Sequence, residues 1–127
     1  MSRALNDLDP RFRQHVVEFL ARCTEAGIPL MIVDTLRTPA EHAANLAAGV
    51  SWTNHSKHLD GLAIDVCPFD VYQLHGTDKL QWNAADPIWE EIAQIGESCG
   101  MNAGFRWKKK DCSHFEYKPF SVPPKTT

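Results

Sequence analysis

The chain is most informative first for what it has little of. No run of about 18 apolar residues occurs in its 127 positions, so no membrane-spanning helix is expected. The start, from Met1 to Asp9, has no apolar core and carries Asp7 and Asp9, unlike a secretory signal. Positive charge is not in excess: 13 Lys and Arg against 16 Asp and Glu give a net charge of −3, which argues against nucleic-acid binding driven by bulk charge. The one basic run is Lys108, Lys109 and Lys110 beside Arg106 and Trp107, a pattern ordinary for a solvated loop. The four cysteines, Cys23, Cys67, Cys99 and Cys112, contain no C-x-x-C pair. Free thiols are expected, three of them facing the core.

What is present is an ordinary globular composition, 43% hydrophobic and 23% charged. A chain of this length forms one domain and buries roughly two-thirds of its unfolded surface. Residues 1–127 are therefore expected to be a single domain, with residues 118–127 a frayed tail.

Punctuation along the chain predicts three helices. Asp9 before Pro10 suits a cap followed by the first helical position. Phe12, Val16, Phe19, Leu20 and Cys23 then recur at helical spacing, and Gly27 ends the element. Thr38-Pro39-Ala40-Glu41 reads as a capping box opening a second helix. Its small residues, Ala43, Ala44 and Ala47, predict close packing, and Gly49 stops it. Asp86-Pro87 repeats the first opening, with Ile88, Ile92, Ile95 and Cys99 as the apolar stripe and Gly100 as the stop.

Strands are predicted between them. Ile28 to Thr35 reads as a buried strand. Gly61 to Cys67 alternates, with Leu62, Ile64 and Val66 on one face and Ala63, Asp65 and Cys67 on the other. Ala103–Trp107 and Cys112–Tyr117 are short candidates. The stretch from Pro68 to Ala85 has no periodicity and is long for a connection. Helices and strands mix without a β-α-β rhythm, which predicts an α+β fold: a short antiparallel sheet packed with about three helices.

Two segments concentrate chemistry. Ser56, His58, Gly61, Ala63 and Asp65 spell S-x-H-x-x-G-x-A-x-D, and Asp111, His114, Phe115 and Glu116 spell D-x-x-H-F-E far downstream. Two imidazoles and one carboxylate are the ligand set of a catalytic zinc site with an open position. Asp65 lies on the same strand face as small Ala63, and a buried carboxylate there needs a cation or strong donors. Gly61 would let the chain bend so that His58 and Asp65 converge, and His114 would arrive by pairing of two strands. Each residue also has an ordinary reading. A lone histidine is usually a hydrogen-bonded core or surface group, as expected for His15, His42, His55 and His75. Asp65 alone could be a salt-bridge partner. Cys67 and Cys112 could bind zinc as thiolates, which would close the site. Two histidines and an acid also hold non-haem iron in some oxygenases, although their spacing differs from this one.

The segment from Ser56 to Asp65, followed by Asp111 to Glu116, resembles the zinc peptidases that cut peptidoglycan stem peptides. That family includes D-Ala-D-Ala carboxypeptidases, vancomycin-resistance dipeptidases and the L-alanyl-D-glutamate endopeptidases of phage endolysins. The similarity runs from about Arg37 to Tyr117. Residues near Lys79–Trp82, with Gly104 and Trp107, resemble the endolysin branch, although Ala103-Gly104 stands where that branch has two glycines.

The resemblance implies these roles. His58, Asp65 and His114 would bind one Zn2+. Asp111 would be the general base and acid, and Arg37 would steady a developing oxyanion. Ser56 and Trp107 would contact substrate. Glu116 would share a strand face with His114, either holding its imidazole or rivalling Asp111 as the base. The implied substrate is bacterial peptidoglycan, cut by a monomeric endolysin of L-alanyl-D-glutamate specificity. A D-Ala-D-Ala carboxypeptidase is the alternative, with Arg106 or Lys108 receiving a free carboxylate. An inactive wall-recognition module is a third reading. The unexported start suggests an enzyme held in the cytoplasm of an infected host until released to the wall.

Overall fold

The structure is a computed structural model and describes residues 2–47, 57–69 and 80–119, without the side chains of His42, Asn45 and Leu46. The expectations placed on Gly49, His55, Ser56, His75, Lys79 and the tail beyond Pro119 lie outside the described residues, as does most of the Pro68–Ala85 stretch.

Helix α1 spans Pro10–Glu25, and Asp9 caps it by accepting from the Arg11 amide. Its buried face is Phe12, His15, Val16, Phe19 and Cys23, which adds His15 to the expected stripe. The His15 Nδ1 atom lies 2.7 Å from the Cys99 carbonyl. Helix α2 spans Pro39–Ala47. Its capping box is formed: the Glu41 amide donates to Thr38 Oγ1 at 3.2 Å, and the Thr38 amide donates back to Glu41 Oε1 at 3.4 Å. The expected packing of its alanines is not found, because Ala40, Ala43, Ala44 and Ala47 are all exposed. Alanine there serves helix propensity.

Helix α3 spans Ile88–Ser98 and buries Trp89, Ile92, Ala93 and Gly96. The expected stripe holds at Ile92 and Cys99, which are buried, while Ile88 and Ile95 are half-buried at its edge and Trp89, Ala93 and Gly96 join it. Gly96 admits a close neighbour. A Cβ at Gly96 would sit 2.5 Å from Phe115 Cε1, so the ring occupies the space above the helix backbone.

The sheet is antiparallel with order β1-β2-β4-β3, comprising β1 (Leu30–Asp34), β2 (Ala63–Pro68), β3 (Met101–Ala103) and β4 (His114–Tyr117). β1 is an edge strand, and it is half-buried apart from Asp34, not the buried strand expected. The strand expected over Ala103–Trp107 is not found: β3 lies before it, ending at Ala103, where the chain turns into a 3-10 helix, Gly104–Arg106. Its cause is a close approach, since a Cβ at Gly104 would lie 2.5 Å from the Asp111 carbonyl oxygen. α1 and α3 cover one face of the sheet, where Phe19 and Phe115 pack with ring centroids 4.6 Å apart. The α+β class and the small antiparallel sheet are as the sequence predicted. Cys23, Cys67 and Cys99 are buried free thiols, and Cys112 is half-buried.

Candidate metal centre

β2 and β4 pair with Asp65 opposite His114. This register alone brings two distant segments together. His58 arrives differently, from a 3-10 helix over Lys57–Asp60 that leads into β2. Gly61 makes the link with φ +69°, a left-handed turn that glycine tolerates at little cost. The turn is held by the Leu62 amide donating to the Lys57 carbonyl at 3.0 Å.

One donor atom from each of His58, Asp65 and His114 lies within 4.8 Å of the other two. His58 Nε2 is 3.3 Å from Asp65 Oδ2, and His114 Nδ1 is 3.4 Å from Asp65 Oδ1. The second contact is too poorly aligned for a hydrogen bond, so the buried Asp65 Oδ1 has no hydrogen-bond partner among the described residues. The two imidazoles are almost fully buried, at 2% and 8% side-chain exposure, so their outer nitrogens must be satisfied internally. His58 Nδ1 lies 2.9 Å from the Thr35 carbonyl. A carbonyl only accepts, so Nδ1 carries the proton and Nε2 faces Asp65. His114 Nε2 lies 2.9 Å from Glu116 Oε1, which turns Nδ1 toward Asp65. Each imidazole therefore points a lone-pair nitrogen at one carboxylate, with its tautomer fixed from behind. Two neutral donors and one anion at this separation fit a divalent cation, and the donor types suit zinc.

The electrostatics agree. Burial alone would raise the Asp65 carboxyl, but the two imidazoles of His114 and His58 against it outweigh burial and hold it well below the usual carboxylate range. Burial alone would lower the His114 imidazole, but Asp65 and Glu116 outweigh it and raise it to about 9. An imidazole so raised is protonated on both nitrogens near neutral pH, Nδ1 facing Asp65 and Nε2 facing Glu116, and it presents the lone pair of Nδ1 only in its neutral form.

Asp111 precedes β4. Its amide donates to the Gly104 carbonyl at 3.0 Å, and its own carbonyl receives the His114 amide at 3.2 Å. The Asp111 carboxyl is raised, first by burial and then by the charge of Asp65, against the opposing pull of His114 and His58. It is thus a carboxyl beside the cluster that holds its proton more tightly than usual. Glu116 stands differently. Burial would raise it, but His114 and Lys57 together lower it. Its Oε2 lies 3.0 Å from Lys57 Nζ, so both oxygens are engaged behind His114.

Trp107 packs beside the cluster, its ring centroid 4.9 Å from that of His114. Arg37 is tied to the same region: its amide donates to the His58 carbonyl at 3.0 Å, and its Nη2 donates to Asp34 Oδ2 at 2.7 Å. Arg106 does not join them. It is held by Glu90 at 2.6 Å and Glu97 at 2.9 Å on the surface. Cys67 and Cys112 are not in the metal-capable cluster, and burial pushes the Cys67 thiol up to about 11.

Three participants were missed from sequence: Asp34, Thr35 and Lys57. Thr35 acts through its backbone, and Lys57 acts through a contact across the sheet, so neither has a sequence signal. Asp34 had one, an acid three residues before Arg37 at the end of an apolar strand.

Residues 49–117 match the model of a protein family described as D-alanyl-D-alanine carboxypeptidase. An L-alanyl-D-glutamate peptidase of Escherichia phage T5 is 33% identical over 95 residues, which cover 68% of this chain and 65% of that relative. The chain thus spans 65% of that curated relative's length. Among solved structures, the L-Ala-D-Glu endopeptidase ChiX of Serratia marcescens aligns at a TM-score of 0.73 and 24% identity, over 90% of this chain and 83% of that one. The vancomycin resistance D,D-pentapeptidase VanY of a VanB-type cassette, in complex with Zn(II), aligns at 0.60 and 14% identity, over 87% and 72%. At these identities the two structures show a shared fold.

Proposed function

This chain belongs to the D-alanyl-D-alanine carboxypeptidase family, and from that membership we propose that it is a zinc-dependent endopeptidase cleaving the L-alanyl-D-glutamate bond of peptidoglycan stem peptides. The observation that carries this reading is the convergence of His58, Asp65 and His114 within 4.8 Å, on a fold like that of an L-Ala-D-Glu endopeptidase.

His58 through Nε2, Asp65 through its carboxylate and His114 through Nδ1 would hold the zinc. When bound, zinc supplies Lewis acidity and a water acidified to near neutrality. Asp111 takes the proton from the attacking water and passes it to the leaving amine, a role suited to a carboxyl whose pKa is raised. Arg37 offers a fixed cationic donor where negative charge develops on the carbonyl oxygen. Glu116 keeps His114 in the ligating tautomer. Trp107 walls the cleft beside His114, and Ser56 orients substrate.

The family's own description favours a second reading, a D-alanyl-D-alanine carboxypeptidase. That reaction needs a cation for the free terminal carboxylate. Of the two candidates, Arg106 is engaged by Glu90 and Glu97, while Lys108 is exposed. Among the described residues no helix is long and apolar enough to cross a membrane. The proposed setting is a phage-type endolysin, a monomer made in the host cytoplasm that reaches peptidoglycan after release and binds no nucleic acid.

The test is digestion of purified wall followed by mass spectrometry, with and without chelator. New D-glutamate amino termini, abolished by chelator and restored by zinc, are expected. Release of free D-alanine alone would refute the endopeptidase and favour the carboxypeptidase.

A further inference from the structure

Asp34 is 2% exposed and lies at the end of edge strand β1, where burial of a charge is costly. Its carboxylate is only half satisfied. Oδ2 accepts from Arg37 Nη2 at 2.7 Å, while Oδ1 has no hydrogen-bond partner among the described residues. A pair retained only for stability would be expected to satisfy both oxygens or to be replaced by apolar groups. The backbone around it is also irregular. Asp34 faces Asp65 across β1 and β2, and the register shifts between Ile32 and Asp34. Such a bulge re-aims a side chain, here placing Asp34 level with the metal-capable carboxylate.

Arg37 is gripped at two points. Asp34 holds Nη2, and the His58 carbonyl receives the Arg37 amide at 3.0 Å. Its Nε is buried and has no hydrogen-bond partner among the described residues. The guanidinium is therefore oriented by protein contacts and still keeps a donor to offer.

We propose that Asp34 is a positioning residue: it fixes the Arg37 guanidinium beside the metal-capable cluster so that a free Arg37 donor meets the oxyanion of the reacting amide. This rests on the hydrolytic reading above. Two contacts then serve one carbonyl-activating arrangement. Thr35, the next residue, fixes His58, and Asp34 fixes Arg37. A guanidinium released from Asp34 retains its charge but samples several rotamers, so it reaches the developing charge in only a fraction of encounters.

The test compares wild type with Asp34→Asn, Arg37→Met and the double variant. Asp34→Asn is expected to lower kcat on a stem-peptide substrate by about 10–100-fold, with KM changed less than about threefold and zinc content unchanged. The double variant is expected to be no slower than Arg37→Met alone, because the acid acts only through the arginine. A second variant, Asp34→Ala, gives the same readouts without placing an amide donor against the guanidinium. Independently of turnover, the Arg37 Nε–H resonance in a 15N spectrum is expected to be protected in wild type and solvent-averaged in both Asp34 variants. Multiplicative losses in the double variant would overturn the proposal. So would an unchanged Arg37 resonance, or zinc loss matching the loss of kcat. If wild type cleaves no wall peptide, the hydrolytic reading fails, and with it the oxyanion role. The resonance then reports separately whether Asp34 holds the arginine.

Discussion

Zinc binding to this site should expel a proton near neutral pH, and His114 is its source. In the metal-free site the imidazole pKa is raised to about 9, so Nδ1 is protonated at pH 7 and faces Asp65. The metal must displace that proton. Two pH units below the pKa, the competition weakens apparent affinity by about 100-fold, or about 2.7 kcal/mol. Affinity should then rise about tenfold per pH unit from 7 to 9 and flatten above. Asp65 adds no proton there, since its carboxyl stays ionised well below that window.

Glu116→Gln sharpens the test. The amide can still accept from His114 Nε2, but the charge that helps hold the imidazolium is gone, and Lys57 loses its partner 3.0 Å away. Loss of such an outer carboxylate weakens metal affinity by about 10–100-fold. The same change lowers the His114 pKa and so relieves proton competition. The deficit should therefore be largest near pH 9 and smaller at pH 7. Calorimetry in buffers of differing ionisation enthalpy counts the proton, and competition with a chelating dye gives the affinities. Zinc uptake at pH 7 without proton release would refute the argument. So would a Glu116→Gln affinity within twofold of wild type at both pH values.

Other consequences follow from the same geometry. The raised His114 pKa stabilises the metal-free fold below pH 6.5, and this contribution is lost as pH rises through about 9. Urea unfolding of chelated protein should show ~3 kcal/mol less stability at pH 9.5 than at pH 6.5. A flat profile would contradict the two-carboxylate cradle. Asp111→Asn should cut kcat by about 10²–10⁴-fold while zinc content stays unchanged, as checked by metal analysis of the purified variant. Gly96→Ala should destabilise, because its Cβ would meet Phe115 Cε1 at 2.5 Å and Phe19 backs the ring. Overpacking of about 1–3 kcal/mol exceeds the ~1 kcal/mol helix-propensity gain. Calorimetry should show a Tm lower by about 5 °C.

The parts written locally were legible before any coordinates. Asp9 with Pro10, the Thr38–Glu41 box, and Gly27 and Gly100 as stops act within a turn of themselves, so residue type suffices to place them. The cluster of His58, Asp65 and His114 was legible too, because the two motifs that carry these residues resemble those of a known family; residue types and spacing alone left ordinary readings open. Where the expectations failed, distant partners decided. The α3 stripe kept Ile92 and Cys99 but widened to Trp89, Ala93 and Gly96, where Phe115 from strand β4 takes the space over Gly96. The α2 alanines stayed exposed because propensity shows that a helix forms, not what covers it. The strand expected over Ala103–Trp107 lies earlier, at Met101–Ala103, and the chain turns at Gly104, where the Asp111 backbone approaches closely.

The sequence by itself thus offered His58, Asp65 and His114 as candidates for a cation, through two motifs that resemble a known family, and marked where most helices begin and end. The helix ends depend on the φ/ψ preferences of residues a few positions apart, and the cation candidates on residue chemistry in two motifs far apart in the chain. Only the tertiary structure decided which nitrogen of each histidine faces Asp65, that Glu116 stands behind His114 with Lys57, and that Asp34 grips Arg37. Those facts arise from sheet register and from burial, which leave each polar atom to find its partner across the fold.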